Sequence, residues 1–263
     1  MIAFSSDRGG TPGIYVMNAD GSDPRLVTDQ DNAAFPGFSP DGERLAFVTS
    51  APYMGRLSTI KIDGTGDWGV LSRNRAMGDP DWSPDGKRIV FIFHTHQYFS
   101  VSVIDVAGGN FEQLTRAATD QINAAPDWSP DGQRIVFSSD RDGDDEIYLM
   151  DADGGNVLQL TNNETTDWWP AWSPDGSQIA FTSRGEGNWD IYAMDPLGGN
   201  VRRLTDDPAS DWAPAWSPDG ARIAFSSERD GNWEIYVMDA DGSHPQRLTH
   251  DEAQDTDPAW RPY

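Results

Sequence analysis

The chain has 263 residues, no cysteine, and a formal net charge of −24 from 43 Asp and Glu against 19 Lys and Arg. The lack of cysteine excludes disulfides, thiol catalysis and thiolate metal sites. The shortage of basic residues argues against binding to nucleic acid or to an anionic membrane, whereas a cation or a basic partner is favoured.

The chain opens on the run Ile2-Ala3-Phe4-Ser5-Ser6, whose β-branched and aromatic residues predict a strand. The same kind of run follows each later Ser-Pro-Asp-Gly tetrapeptide, where an aromatic strand also precedes it. At the N-terminus that preceding strand is missing, and the closing residues Pro258-Ala259-Trp260 match it. We therefore expect the two ends of the chain to complete one sheet.

The tetrapeptide Ser-Pro-Asp-Gly recurs at spacings of 44 to 46 residues, beginning at Ser39, Ser83, Ser129, Ser173 and Ser217. A fixed period of this length indicates one supersecondary unit used repeatedly. Pro sets φ at the first corner, Asp can bond its own backbone, and Gly takes the left-handed position, so each copy predicts a hairpin turn. We interpret the repeated Asp as structural rather than as an acid or a ligand.

The unit from Ser217 to Trp260 predicts four short strands at 222–227, 234–238, 246–249 and 258–260, joined by tight turns. Six such antiparallel units predict an all-β, six-bladed β-propeller, closed by N-terminal strands and a C-terminal strand in one shared blade. The whole chain would be one domain. Its expected blades are 1–28 plus 256–260, then 36–72, 80–115, 126–161, 170–205 and 214–249.

The motifs Pro-Ala-Trp-Ser-Pro-Asp-Gly, Ile-Ala-Phe-Ser-Ser, Ile-Tyr-Val-Met-Asp-Ala-Asp-Gly and Arg-Leu-Thr together resemble the TolB-type propeller repeat. The resemblance covers the whole chain, without the separate α/β domain of that family. It implies a periplasmic or secreted scaffold that binds a protein or a disordered peptide and can hold calcium in its tunnel. Related propellers serve as gating or docking domains of peptidases.

The repeats differ most in the loops that follow the Ile-Ala-Phe-Ser-Ser strand in blades two and three. Together with the loops that lead into the Trp strand, these loops form one face of the propeller, which we call the variable face. Aromatic, His, Arg and Met side chains suit a recognition patch, although drift with local packing explains them equally well. The predicted partner-binding residues are Tyr53, Met54, Arg56, His94, His96, Tyr98 and Phe99.

Counting back five residues from the strand aromatic gives Asp167, Asp211 and Asp255 in three blades, and Asn123 in a fourth. Oxygen ligands gathered at the tunnel mouth would suit Ca²⁺ better than Zn²⁺. Other carboxylates on the same strands can contribute, namely Asp81, Asp127 and Asp257. The alternative is that these acids bond backbone amides of the loops.

The leading hypothesis is a non-enzymatic, monomeric scaffold for a protein or peptide with a basic segment. The second is a six-bladed hydrolase or lyase that uses a metal or a His base at the tunnel mouth, although no Gly-x-Ser-x-Gly motif occurs. The third is an engineered or recently amplified propeller without an evolved ligand.

Overall fold

The computed structural model confirms the six-bladed propeller, in which each blade is a four-stranded antiparallel sheet. It describes residues 1–30, 32–49, 55–65, 69–72, 76–94, 98–115, 121–185 and 187–262, with the backbone alone for 69–72 and 76–77. Within these residues no helix has the length and apolar character needed to cross a membrane.

The strands follow the ring in chain order, and the first strand of each blade after blade 1 lines the tunnel. Blade 1 contains β1 (Ile2–Ser6), β2 (Gly13–Met17) and β3 (Arg25–Thr28), with β24 (Asp255–Trp260) at its tunnel edge. Blade 2 contains β4 (Ala33–Phe38), β5 (Arg44–Thr49), β6 (Arg56–Lys61) and β7 (Gly69–Ser72). Blade 3 contains β8 (Ala76–Trp82), β9 (Arg88–His94), β10 (Phe99–Asp105) and β11 (Glu112–Gln113).

The remaining three blades repeat this plan. Blade 4 contains β12 (Asn123–Trp128), β13 (Arg134–Ser139), β14 (Glu146–Asp151) and β15 (Leu158–Gln159). Blade 5 contains β16 (Asp167–Trp172), β17 (Ile179–Ser183), β18 (Asp190–Met194) and β19 (Arg202–Arg203). Blade 6 contains β20 (Asp211–Trp216), β21 (Arg222–Ser227), β22 (Glu234–Asp239) and β23 (Gln246–Arg247).

The chain termini close the ring as the sequence predicts. β24 pairs antiparallel with β1, so that Trp260 lies opposite Ile2 and Asp255 lies opposite Ser6. Closure in one shared blade leaves no inner strand edge unpaired.

The core lies between the blades and repeats with them. One phenylalanine in the second strand of every blade is 0 or 1% exposed, and these residues are Phe4, Phe47, Phe91, Phe137, Phe181 and Phe225. In four blades a tyrosine of the third strand packs on this ring, with centroids 5.8 to 6.0 Å apart. Because each hydrophobic cluster draws residues from neighbouring blades, the packing holds the ring in register.

The Ser-Pro-Asp-Gly segments form the predicted turns. In the first copy the Ser39 hydroxyl donates to Asp41 Oδ1 at 2.6 Å, and the Glu43 amide donates to the same oxygen at 3.0 Å. Gly42 has φ 67°, the left-handed value that suits glycine. These hydrogen bonds, led by that from Ser39, lower the pKa of Asp41, so this acid is a structural turn residue.

The inner strands begin before the blade limits expected from the sequence. β16, for example, begins at Asp167 rather than at residue 170, because Asp167 and Trp168 pair with Ser183 and Thr182 on the far side of a bulge. This bulge recurs in every blade and determines which side chains reach the tunnel.

Candidate functional site

Each inner strand carries a β-bulge whose central residue has a left-handed backbone. In blade 6, Trp212 pairs with Ser226 and Ala215 pairs with Ala224, so the ladder skips the intervening residues. The skipped residue before proline has φ between 46° and 57° in all six blades; we call these residues the tunnel ring, and they are Phe35, Asp79, Ala125, Trp169, Ala213 and Asp257. A left-handed conformation at a residue other than glycine is strained, and such strain is concentrated at functional sites.

The tunnel ring lines a central cavity of about 500 Å³. The residues two positions further along each strand form a second layer, made of Gly37, Asp81, Asp127, Ala171, Ala215 and Ala259. Acids therefore enter the tunnel from blades 1, 3 and 4, and large aromatic rings enter it from blades 2 and 5. A cavity with apolar walls and a few convergent polar groups is the usual form of a ligand site.

Two tunnel-ring acids lie on either side of the Phe35 blade. Burial raises the pKa of Asp79 to about 7, and the charge of Asp257 contributes to the increase. Two donors act in the opposite direction, the Ala125 amide, 3.3 Å from Asp79 Oδ2, and the Trp169 side chain, which hydrogen-bonds the carboxyl from blade 5. Burial also raises the pKa of Asp257.

The second-layer acids bridge neighbouring blades. Asp81 Oδ2 accepts a hydrogen bond from the Trp128 amide at 2.8 Å, and Asp127 Oδ2 accepts one from the Trp172 amide at 2.7 Å. Burial raises the pKa of Asp81 to about 7. For Asp127, burial and then the charge of Asp81 raise the pKa well above its usual range. The tunnel is thus a place where positive charge or a proton would be stabilised.

The residues predicted to hold calcium lie elsewhere, at the first position of their inner strands and 0 or 1% exposed. Arg229 Nη2 lies 3.0 Å from both oxygens of Asp211, and Arg8 Nη2 lies 2.6 Å from Asp255 Oδ2. Arg141 Nη2 donates to Asn123 Oδ1 at 3.0 Å.

Three of these four side chains are thus held by an arginine of their own blade. Across the described part of the chain, no three His, Asp or Glu side chains are grouped closely enough to hold a metal ion. Calcium binding stays a prediction of the sequence.

Three seams between blades carry acids at the same two buried positions. In the seam between blades 5 and 6, Asp190 pairs with Arg203 at 2.7 Å, and Asp211 with Arg229 at 3.0 Å. In the seam between blades 6 and 1, Arg247 holds Glu234, and Arg8 holds Asp255. Each of these two seams therefore balances two buried carboxylates with two guanidinium groups.

The seam between blades 4 and 5 lacks both arginines. Its acids are Glu146 and Asp167, while Gln159 stands at the position of Arg203 and Gly185 at the position of Arg229. Asn163 bridges the two acids. Its backbone N–H donates to Glu146 Oε1 at 2.6 Å, and its side-chain Nδ2 donates to Asp167 Oδ2 at 2.9 Å.

Burial shifts the pKa values of this pair, and no guanidinium of the described residues opposes the shift. Burial raises the pKa of Glu146 to about 7, with a further increase from the charge of Asp167. Burial also raises the pKa of Asp167. Because two buried carboxylates without a guanidinium partner are costly to charge together, we expect the pair to retain a proton below about pH 7.

The predicted recognition patch on blades two and three is described only in part. Tyr53, Met54 and His96 lie outside the described residues. Arg56 is exposed, and the half-buried His94 stacks on Phe99 with ring centroids 4.5 Å apart. The half-buried Tyr98 precedes Phe99 in the chain, and the patch stays a prediction.

The sequence alone identified only part of the tunnel. Counting back five residues selected the buried seam acids, whereas the tunnel ring lies three residues before the strand aromatic. The available signal was the proline after each ring residue, which is skipped in strand pairing. Asp79, Trp169 and Phe35 were missed because a regular strand would not have turned them toward the axis.

Comparison with known proteins places the fold in a family. The sequence model of the family described as "TolB beta propeller domain" matches residues 49–212 and 206–263. The structure of TolB from Acinetobacter baumannii is similar over 100% of this chain and 66% of its own, with 25% identity and a TM-score of 0.88. The chain thus spans just under two thirds of that relative.

Other solved structures share the fold. A putative TolB from Agrobacterium tumefaciens matches with 24% identity and a TM-score of 0.82, over 100% of this chain and 95% of its own. An oligogalacturonate lyase from Vibrio parahaemolyticus matches with 17% identity and a TM-score of 0.64, over 95% and 74%. No curated protein matches the sequence.

Proposed function

The chain belongs to the TolB beta propeller family, and on that premise we propose that it is a non-enzymatic scaffold that binds a basic protein or peptide segment at its tunnel. The observation that carries the proposal is the tunnel, where four acids and the tunnel-ring aromatics Phe35 and Trp169 line a cavity of about 500 Å³. A cationic side chain entering this space would meet carboxylates that are poorly solvated, which strengthens the attraction. The net charge of −24 would also draw a basic partner toward the surface.

The rival function is hydrolysis or elimination, and one observation favours it. Asp79 and Asp81 have pKa values raised to about 7, as general acids often do. Against it, no histidine, serine or cysteine is among the described residues that line the tunnel. The acids also already accept backbone amides. A binding scaffold needs no catalytic group beyond the acids and aromatic rings already present in the tunnel.

Two further parts of the proposal rest on the family, and the second rests also on the acids identified in the sequence. The first is a periplasmic or secreted location. The second is Ca²⁺ at the predicted ligands, which would require Asp211 and Asp255 to release their arginines.

The scaffold is tested by selecting random twelve-residue peptides on the immobilised chain and repeating the binding with Ala213→Trp. The Trp169 backbone adopts a tunnel-ring conformation, φ 49°, that is nearly that of Ala213, φ 52°. The Ala213→Trp variant should therefore fold, and its new indole should fill the tunnel. Ala221→Trp, on an exposed turn at the opposite face, is the matched control. We expect basic peptides that bind wild type and Ala221→Trp but not Ala213→Trp; peptides that bind all three equally would refute the tunnel as the site.

A further inference from the structure

Five half-buried tryptophans form a continuous cluster on the variable face of blades 5 and 6. We call this cluster the tryptophan platform, and its members are Trp168, Trp169, Trp189, Trp212 and Trp233. Trp212 is central, with ring centroids 4.7 Å from Trp169, 5.3 Å from Trp189 and 5.5 Å from Trp233. Since Trp169 belongs to the tunnel ring, the platform leads from the outer loops to the tunnel.

The fold itself does not require these indoles. Trp212 occupies a strand position that pairs with Ser226, and the equivalent residue of blade 4, Ala124, pairs with Ser138 in the same register. The backbone carbonyl of Trp189 likewise accepts a hydrogen bond from the Asp211 amide of the next inner strand. In blade 4 the carbonyl of Asp145 accepts the equivalent bond from the Asp167 amide. The same backbone therefore forms with small or acidic side chains at these positions, and packing alone does not explain five tryptophans on one surface.

The surroundings of the platform are acidic. The Trp169 side chain hydrogen-bonds Asp79, and the Trp168 side chain lies close to Asp145. Exposed acids of the same face follow on the loops of blades 4 to 6, namely Asp142, Glu164, Asp206, Glu228, Asp251 and Glu252. Aromatic faces next to carboxylates attract cations, because the ring quadrupole and the acid act in the same direction.

The chain already places guanidinium groups on indoles. Arg184 lies over Trp189, 5.9 Å from the ring centroid, at the edge of the platform. Elsewhere Arg88 lies 4.9 Å from the Trp128 centroid. In the described part of the molecule no guanidinium covers Trp169, Trp212 or Trp233, which leaves the centre of the platform for a cation from outside.

We propose that the tryptophan platform binds arginine side chains, and lysine less well, of a basic segment on its way to the tunnel. The inference rests on the proposed scaffold function and adds the chemistry of the partner. Arginine is favoured because its planar, weakly hydrated guanidinium stacks on aromatic faces. One cation–π contact at such a partly exposed site contributes about 1 kcal/mol, or about fivefold in affinity.

The test uses three synthetic peptides of twelve residues, in which glycine alternates with arginine, lysine or citrulline. Citrulline has nearly the shape of arginine without the charge. Tryptophan fluorescence and calorimetry on the whole chain should give the affinity order arginine, lysine, citrulline. Blade 4 has an alanine, Ala124, at the position of Trp212, so Trp212→Ala should fold. This variant should bind the arginine peptide about fivefold more weakly. Leu197→Ala, a 70% exposed apolar residue on the opposite face, should leave its affinity unchanged.

The outcomes separate this inference from the scaffold proposal. If Ala213→Trp abolishes binding but Trp212→Ala does not weaken it, the tunnel proposal stands and the platform inference is wrong. Equal binding of the arginine and citrulline peptides would also refute a cation site. Failure of all three peptides, with Trp212-dependent binding of a neutral oligosaccharide such as cellohexaose, would replace the basic segment by a sugar.

Discussion

Glu146 and Asp167 are bridged by Asn163 across the seam between blades 4 and 5, where neither position that holds an arginine in the next two seams carries one. The equivalent seams show what is missing, because there each acid pair has two guanidinium partners. Six repeats of one unit thus provide an internal comparison, in which one of the three acid-bearing seams lacks the guanidinium groups that balance the other two.

The pH dependence of stability follows from this pair. The pKa of Glu146 is raised from 4.5 to about 7, so the folded chain holds a proton that the unfolded chain releases. The contribution of the pair is complete below about pH 4.5 and is lost as the pH rises to about 7. Gln159→Arg should restore the missing guanidinium and raise the stability at pH 8 by about 1 kcal/mol, or ~2–4 °C in Tm.

The control for this change lies in blade 3. Gln113 is the equivalent of Gln159, but Ser100 stands there in place of the acid, and Gln113 Nε2 donates to it at 3.3 Å. Gln113→Arg should therefore give no gain at pH 8. Thermal melts of both variants between pH 5 and pH 9 provide the measurement, and equal gains for the two would mean that the acid pair is irrelevant.

The tunnel ring stores backbone strain that a glycine would relieve. Ala213 has φ 52°, and a left-handed residue other than glycine costs roughly 1–2 kcal/mol. Ala213→Gly should raise the free energy of unfolding by about 0.5–1 kcal/mol, after the entropy of glycine is subtracted. Ala215→Gly, two residues along the same strand with ordinary φ, should lower it by about the same amount. Urea unfolding of the pair checks the sign, and two losses would show that the bulge is not strained.

The bulge in each inner strand separates the features that the sequence predicts from those that it does not. The strands, the turns and the closure by Trp260 and Ile2 follow from local chemistry, since proline, glycine and alternating apolar residues specify them. The tunnel side chains do not follow, because they depend on where the ladder slips. The seams also needed the structure: Arg229 and Asp211 are 18 residues apart, and only the folded blade brings them within 3.0 Å.

Asp79 gives a second test of protonation in the tunnel. Because burial raises its pKa to about 7, its stabilising contribution is lost as the pH rises from about 4 to 7. Asp79→Asn keeps an acceptor for the Ala125 amide without the charge, so it should match wild type at pH 5 and exceed its Tm at pH 8.5. Asp41→Asn should instead destabilise at neutral pH, because the pKa of this turn acid is lowered. A higher Tm for both variants at pH 8.5 would point to a general charge effect.

Calcium binding can be tested through the arginines that hold its predicted ligands. Arg229 covers both oxygens of Asp211, so an ion at this carboxylate must first displace the guanidinium. We expect weak binding of Ca²⁺ to wild type and tighter binding to Arg229→Gln, in calorimetry with Tm followed in parallel. Arg222→Gln removes an arginine that lies over Trp260 instead, and it should leave the calcium affinity unchanged. The absence of both heat and Tm shift in all three proteins would rule out the predicted site.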